Sequence, residues 1–294
     1  MNLPAKDPCP RELHLTSHPQ QDVCCLMGDP VAGNPTQYML EKAFDAARLD
    51  WRFLTFEVPP LDFEGALRGA RIFSFHGVML APPHRSRVMP YLEDVGDAAR
   101  ISGQVNCIKQ QHGRLHGYNT EGRALRQLLE QAGAVKNAKV TILGAGRVAR
   151  AIGAELALAG VGELVLACRR AEAAEELHDT LLDQTPLAHC RIAVIAAEAP
   201  LAFDEDCQAL VNATPVGTVL PVITESLPKR AVVADVVYNP PETWLIGQAE
   251  RNDCPTIDGL TLLIEQAALA FEIWTGASAD RQAMRDAVEE FLAL

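Results

Sequence analysis

Apolar positions in this chain follow two rhythms. Short apolar-rich runs at residues 23–27, 53–58 and 140–143 have the length and polar flanks of buried strands. Longer segments carry apolar residues three and four apart, as one face of a helix requires; in residues 37–48 that face is Tyr38, Leu40, Ala43 and Phe44. The same reading predicts a short helix at 63–68 and a strand within 72–80, stopped by Ala81-Pro82-Pro83. A helix begins at 88–92, and residues 105–110 and 114–118 form a hairpin around His112-Gly113. Further helices fall at 121–132, with Leu125, Leu128 and Leu129 on one face, and at 260–275 and 281–292. Strands alternating with helices, and no internal repeat, predict an α/β protein with mostly parallel sheets.

The run at 140–143 ends in Gly144-Ala145-Gly146-Arg147-Val148-Ala149, and an alanine- and leucine-rich helical pattern follows. A dinucleotide-binding loop needs this strand–turn–helix context. Gly144 permits the tight turn, Gly146 lets backbone approach a pyrophosphate, and Ala149 keeps helix close to strand. The first N–H groups of the helix, from Arg147 and Val148 onward, are free to meet phosphate. A second short strand at 163–167 leads into Cys168-Arg169-Arg170. An NAD site places an acid there for the ribose 2′-hydroxyl. Arg169 and Arg170 instead suit a 2′-phosphate, so NADP is the expected cofactor.

At 294 residues the chain is long enough for two domains with sizeable cores. Its formal charge of −12 argues against nucleic acid or an anionic membrane as partner. No apolar run is long enough to span a bilayer, and residues 1–20, polar and broken by proline, read as a loose extension without a signal-peptide centre. The eight cysteines lack CxxC spacing, which suits reduced thiols in a cytoplasm rather than zinc ligands or disulfides. Cys24 and Cys25, adjacent on one strand, should point to opposite faces. His76, His84 and His116 lack metal-ligand spacing and read as surface or loop residues; no metal site is expected.

Several ordered motifs resemble the shikimate/quinate dehydrogenase superfamily from Met27 to the C-terminus: Gly28-Asp29-Pro30-Val31-Ala32, Val105-Asn106, Gly117-Tyr118-Asn119-Thr120-Glu121-Gly122, Asn212-Ala213-Thr214-Pro215-Val216-Gly217, Asp235-Val236-Val237-Tyr238-Asn239-Pro240, and Gly259 with Gln266-Ala267. The resemblance implies an N-terminal α/β substrate domain (residues 21–121), a Rossmann NADP-binding domain (122–259) and C-terminal helices (260–294) returning to the substrate domain. It implies NADP-linked hydride transfer between a ring hydroxyl of shikimate and the ketone of 3-dehydroshikimate, a place in aromatic amino acid biosynthesis, and a cleft between the domains. Asn212, Ala213, Thr214 and Gly259 would belong to the cofactor side. Asn106, Thr120, Tyr238 and Gln266 would line the substrate side.

The chain departs from that family pattern where substrate is held. The family's Ser-x-Ser reads Asn34-Pro35-Thr36; both polar side chains can still bond an anion. The family's Asn-Val-Thr-x-Pro-x-Lys reads Met79-Leu80-Ala81-Pro82-Pro83-His84-Arg85, so Met79 and Ala81 replace groups that would meet substrate hydroxyls. The catalytic lysine and aspartate become Arg85 and Glu121. Arginine stays protonated and can orient or polarise an oxygen, which leaves Glu121 as the base. These readings describe a divergent member, monomer or homodimer, acting on shikimate or a related hydroxy- or keto-carboxylate. A ligand-binding relative without catalysis, or a plain Arg85–Glu121 salt bridge, is the competing reading.

Overall fold

A computed structural model describes residues 21–294; the N-terminal extension expected at 1–20 lies outside them. The first region builds β1 (Asp22–Gly28), α1 (Thr36–Ala46), β2 (Trp51–Glu57), α2 (Phe63–Ile72), β3 (Gly77–Leu80), α3 (His84–Arg87), β4 (Asp94–Val95), α4 (Asp97–Ser102), β5 (Cys107–Gln111) and β6 (Arg114–Tyr118). Its mixed sheet runs β2-β1-β3-β5-β6-β4. β1 pairs in parallel with β2 and β3, and the β5–β6 hairpin adds antiparallel strands. Then come α5 (Thr120–Gln131), β7 (Lys139–Leu143), α6 (Arg147–Leu158), β8 (Glu163–Cys168), α7 (Ala171–Gln184), β9 (Cys190–Val194), β10 (Cys207–Asn212), β11 (Val232–Asp235), α8 (Trp244–Arg251) and β12 (Thr256–Ile257). The second sheet is wholly parallel, in the order β12-β11-β10-β7-β8-β9. This is the doubly wound order, and it reverses between β7 and β10, where such sheets bind ligands beyond their strand ends.

The chain returns through α9 (Gly259–Thr275) and α10 (Arg281–Leu292). Phe271, Trp274, Met284 and Val288 from these helices share one core with Cys24, Leu26, Leu40 and Phe44. Cys25 and Met27 face the other side of β1, against Phe63, Leu67 and Val88. The two neighbouring cysteines therefore do point to opposite faces, and every cysteine among the described residues is free. Helix α5 joins the two halves. Its Ala124, Leu125 and Leu129 enter the core of the parallel sheet, and Arg126 Nε meets Glu155 Oε2 on α6 at 3.1 Å. A Cβ on Gly122 would stand 2.5 Å from the Ala151 carbonyl oxygen, so only glycine lets α5 and α6 cross this closely.

One predicted element differs. The strand expected within 72–80 is Gly77–Leu80; α2 runs on to Ile72 before it, and Ser74 turns the chain at φ 59°. The helix expected at 88–92 lies earlier, at His84–Arg87, and Pro90 sits in a short 3-10 turn that follows. His84 is a second correction: it is fully buried rather than a surface or loop residue.

Candidate active site

Two cavities open at the carboxyl ends of the strands. The larger, of about 480 Å3, lies over β7, β8 and β10. Gly144, Ala145 and Gly146 line it, with Ala213 and Thr214 opposite and Arg169 and Arg170 at its lip. Gly144 has φ +105°, and a Cβ there would press on Thr214 at 3.1 Å, so glycine is required by both conformation and space. Gly146 caps α6 without a side-chain bond, and the first turn of α6 carries no acid. Its leading N–H groups are thus available to an anion. Arg147 is exposed and Val148 half-buried in that turn, and Ala149 is buried against the sheet core. The guanidiniums of Arg169 and Arg170 are exposed and make no ion pair or hydrogen bond within the described residues. Unspent N–H donors and unpaired guanidiniums around a groove fit a dinucleotide bearing an extra phosphate.

Asn212 lies behind this groove. Its Nδ2 donates to Asp235 Oδ1 (2.9 Å) and the Val216 carbonyl (3.0 Å), and its Oδ1 accepts from Thr214 N and Oγ1 (3.1 and 2.6 Å). It is wholly buried and shapes the loop that Ala213 and Thr214 present. Asp235 also accepts from Val237 N (3.0 Å) and Thr243 Oγ1 (2.8 Å). Burial pushes its carboxyl above the usual range, and these bonds only partly offset that.

The smaller cavity, of about 210 Å3, lies between the first sheet, the start of α5 and α9. Asn34, Thr36, Met79, Ala81, Arg85, Glu121, Tyr238 and Gln266 all line it. Thus residues spread over most of the chain converge on one space. Gly259 lines this cavity rather than the larger groove. A Cβ there would meet the Val237 carbonyl oxygen at 2.2 Å, so it lets the start of α9 sit on the β11 exit. Asn106 and Thr120 do not line the cavity; they form its backing. Thr120 N donates to Asn106 Oδ1 (2.7 Å), and Asn106 Nδ2 reaches Thr120 Oγ1 (3.0 Å) and Gln266 Oε1 (3.5 Å).

The polar centre is the Arg85–Glu121 pair. Arg85 Nη1 donates to Glu121 Oε2 at 2.8 Å and Nε to the Leu80 carbonyl at 3.1 Å. Both side chains are largely shielded, at 18% and 13% exposure, so the pair is screened less than a surface ion pair. Arg85 Nη2 and Glu121 Oε1 have no partner among the described residues, leaving a donor and an acceptor for a ligand. Glu121 sits in the first turn of α5, whose N-cap Asn119 accepts from Gly122 N at 2.9 Å; this end of a helix favours an anion. At the far end Asn34 Oδ1 accepts from Thr36 N (3.0 Å), and its side-chain amide nitrogen has no partner among the described residues. Burial raises the Tyr238 phenol above its usual pKa and keeps it protonated.

The remaining wall is apolar: Leu26, Leu80, Pro82, Val236, Leu262 and Leu263. Sequence reasoning missed these residues. The available signal was position, since Leu26 and Leu80 sit toward the carboxyl ends of β1 and β3. Ile195, Val219 and Leu220, which line the nucleotide groove, gave no signal because they come from irregular chain.

Residues 26–108 match the model of the shikimate dehydrogenase substrate binding domain, and residues 259–289 that of the shikimate 5′-dehydrogenase C-terminal domain. Shikimate dehydrogenase (NADP(+)) of Methanopyrus kandleri is 35% identical over 283 residues, covering 93% of this chain and 97% of that protein. Among solved structures, the ligand-free 5-ketofructose reductase of Gluconobacter sp. strain CHM43 matches with TM-score 0.89 and 33% identity, over 93% of this chain and 99% of that one. Shikimate 5-dehydrogenase of Thermus thermophilus, in complex with NADP(H) and shikimate, matches with TM-score 0.79 and 28% identity, over 92% and 100%. Among the described residues no helix is long and apolar enough to cross a membrane. With a relative above one-third identity along nearly its whole length, and both halves of the fold in place, the chain belongs to the shikimate dehydrogenase family.

Proposed function

We propose that this protein catalyses reversible NADP-linked hydride transfer between a small hydroxy-carboxylate, shikimate or a related cyclic acid, and its ketone. Residues 122–259 hold the nucleotide; residues 21–121 and 260–294 hold the substrate, with Val236, Tyr238 and Gly259 completing its cavity. The observation that carries the reading is the shielded Arg85–Glu121 pair, with one free donor and one free acceptor, facing a cavity sized for a small molecule. NADP, when bound, accepts or supplies the hydride, and Arg169 and Arg170 would hold its 2′-phosphate.

The protein's own part follows from charge. Arg85 stays protonated, so its Nη2–H holds the reacting oxygen and stabilises the negative charge that develops there. Glu121 takes the proton from the hydroxyl in the oxidative direction and returns it to the oxygen in the reductive one. Asn34, Thr36, Tyr238 and Gln266 orient the remainder of the substrate. Met79 and Ala81 make the wall less able to bond hydroxyls than the family pattern, which favours a substrate with fewer of them.

A second reading, a neutral keto-sugar, is favoured by the closer structural match to the 5-ketofructose reductase than to the shikimate-bound enzyme. The test is a panel: NADPH oxidation with 3-dehydroshikimate, other cyclic keto acids and 5-ketofructose, and NADP+ reduction with the matching alcohols. Turnover of a cyclic keto acid supports the first reading, and turnover confined to 5-ketofructose supports the second. Tight ligand binding without turnover of any member would make the protein a ligand-binding relative.

A further inference from the structure

We propose that His84 is a positioning residue, whose imidazole ties the turn carrying Arg85 to the loop carrying Asn34 and Thr36 and so holds the two polar ends of the substrate cavity in register. The proposal rests on the role given to Arg85 above. It begins with α3, which is only four residues long and has no side-chain cap. A single turn does not hold itself together, so tertiary contacts must fix its geometry. His84 supplies the most buried of these. It is 0% exposed, and its ring stacks on Phe63 with centroids 4.3 Å apart and planes 8° from parallel.

His84 Nε2 lies 2.7 Å from the Val58 carbonyl oxygen. A carbonyl only accepts, so Nε2 carries a hydrogen and donates it. Nδ1 is buried with no partner among the described residues. An orphaned buried polar atom is a standing cost, and a phenylalanine on the Phe63 ring would avoid it. The donor at Nε2 is what the position retains in exchange.

Val58 is where that donor becomes useful. Its own N–H donates to the Gly28 carbonyl at 2.8 Å, and Asp29 N–H donates to the Pro82 carbonyl at 3.0 Å. The imidazole therefore closes a circuit: His84 to Val58, Val58 to Gly28, Asp29 back to Pro82, and along the chain to His84. Arg85 hangs from one side of this circuit, and residues 29–36, ending in Asn34 and Thr36, hang from the other. Glu57 Oε2, next to Val58, also accepts from Val31 N at 3.3 Å in that loop.

The test compares His84→Phe, which keeps a flat ring on Phe63 but deletes the donor, with His84→Gln, which keeps a donor. Activity is read with NADPH and either 3-dehydroshikimate or 5-ketofructose as probe. Expected are a fall in kcat of about tenfold or more for His84→Phe, NADPH affinity within about twofold, and recovery in His84→Gln. In an Arg85→Met background His84→Phe should cost less than about twofold, because the tether then has nothing to position. An equal loss in that background, or a lowered Tm with unchanged kcat, overturns the proposal.

If neither probe is turned over, the function reading fails on its own, and hydrogen exchange of the Arg85 Nε–H signal in 15N-resolved spectra decides the tether. Exchange about tenfold faster in His84→Phe, with the other arginine signals unmoved, supports it; an unmoved Arg85 signal overturns it. Should His84→Phe not fold, His84→Gln carries the test. An Arg85 signal near that of the unmodified protein supports the tether, and a change of about tenfold in a folded variant overturns it.

Discussion

The larger groove and the smaller cavity, proposed above for nucleotide and substrate, stand at the ends of two sheets in one molecule, yet they offer a ligand different means of recognition. The groove works through backbone: Gly144 at positive φ, uncapped N–H groups at the start of α6, and a loop shaped from behind by Asn212. The cavity works through side chains delivered by β3, α3, α5, α9 and the loop before α1. Backbone recognition tolerates change in most side chains around it. Side-chain recognition does not, and on the proposed reading Arg85, Glu121, Met79 and Ala81 stand there in place of the family pattern's lysine, aspartate and two hydroxyl-binding groups. One half of a shared fold can hold its cofactor while the other half is refitted.

The sharpest way to break this comparison is Glu121→Gln. It keeps the shape of the side chain and its bond to Arg85 but removes the base. A positioned acid–base group typically contributes about 10²–10⁴ in rate, so kcat on the best substrate should fall at least about a hundredfold. NADP(H) affinity should stay within about twofold, because Glu121 lies outside the groove. Single-turnover hydride transfer and nucleotide titration measure the two. Normal turnover would place the base elsewhere, and lost stability without a chemical defect would make the pair a structural salt bridge.

The reciprocal change tests the other region. Arg169 and Arg170 should give NADP(H) at least about a tenfold tighter Kd than NAD(H), or about 1.4 kcal/mol. Replacing both with alanine should shrink that preference and its salt dependence while leaving saturated kcat intact. Equal affinity for the two nucleotides in the unmodified protein would refute the assignment.

A smaller effect sharpens the contrast within the cavity. Met79→Asn with Ala81→Thr restores hydroxyl-binding groups on a wall now closed by apolar side chains. The KM for shikimate should improve about fivefold or more, since a retained hydrogen bond contributes about 1 kcal/mol. Met79 also packs in the core around Leu26 and Phe44, so Tm should fall in the same variant. Efficient shikimate turnover before any substitution would overturn the view that this wall disfavours polyols.

What could be read from the sequence follows the same division. Gly144 to Ala149 and the paired arginines announce themselves because a glycine turn between strand and helix has few other uses. Arg85 and Glu121 could be paired only through family resemblance, since 36 residues separate them and no periodicity relates them. The backing role of Asn106 and Thr120 was not legible, because a polar residue facing a ligand and one facing another buried amide look alike in sequence. His84 was misread for a related reason: a lone histidine near two prolines resembles a loop, and only the packing of Phe63 over it shows otherwise. Within 72–80 the start of the strand was not legible, because apolar Ile72 and Phe73, which the structure leaves exposed at the end of α2, look no different from strand residues.

Asp235 joins the two regions, and it offers the smallest and most specific test. Its carboxylate holds Asn212 behind the nucleotide groove, while the next residue, Val236, lines the substrate cavity. Burial raises its pKa despite bonds from Val237, Thr243 and Asn212, so the folded state binds the proton more tightly than the unfolded chain. Stability must then fall as pH rises from the ordinary Asp value, about 3.9, to the raised folded value, and stay level above it. Asp235→Asn, neutral at every pH, lacks this slope. The Tm of the unmodified protein relative to Asp235→Asn should therefore decline over that window, as a modest shift in paired melts run from acid to neutral pH. A difference that grows in the opposite direction would mean that the three hydrogen bonds outweigh desolvation, and that the joint is held by charge rather than at its expense.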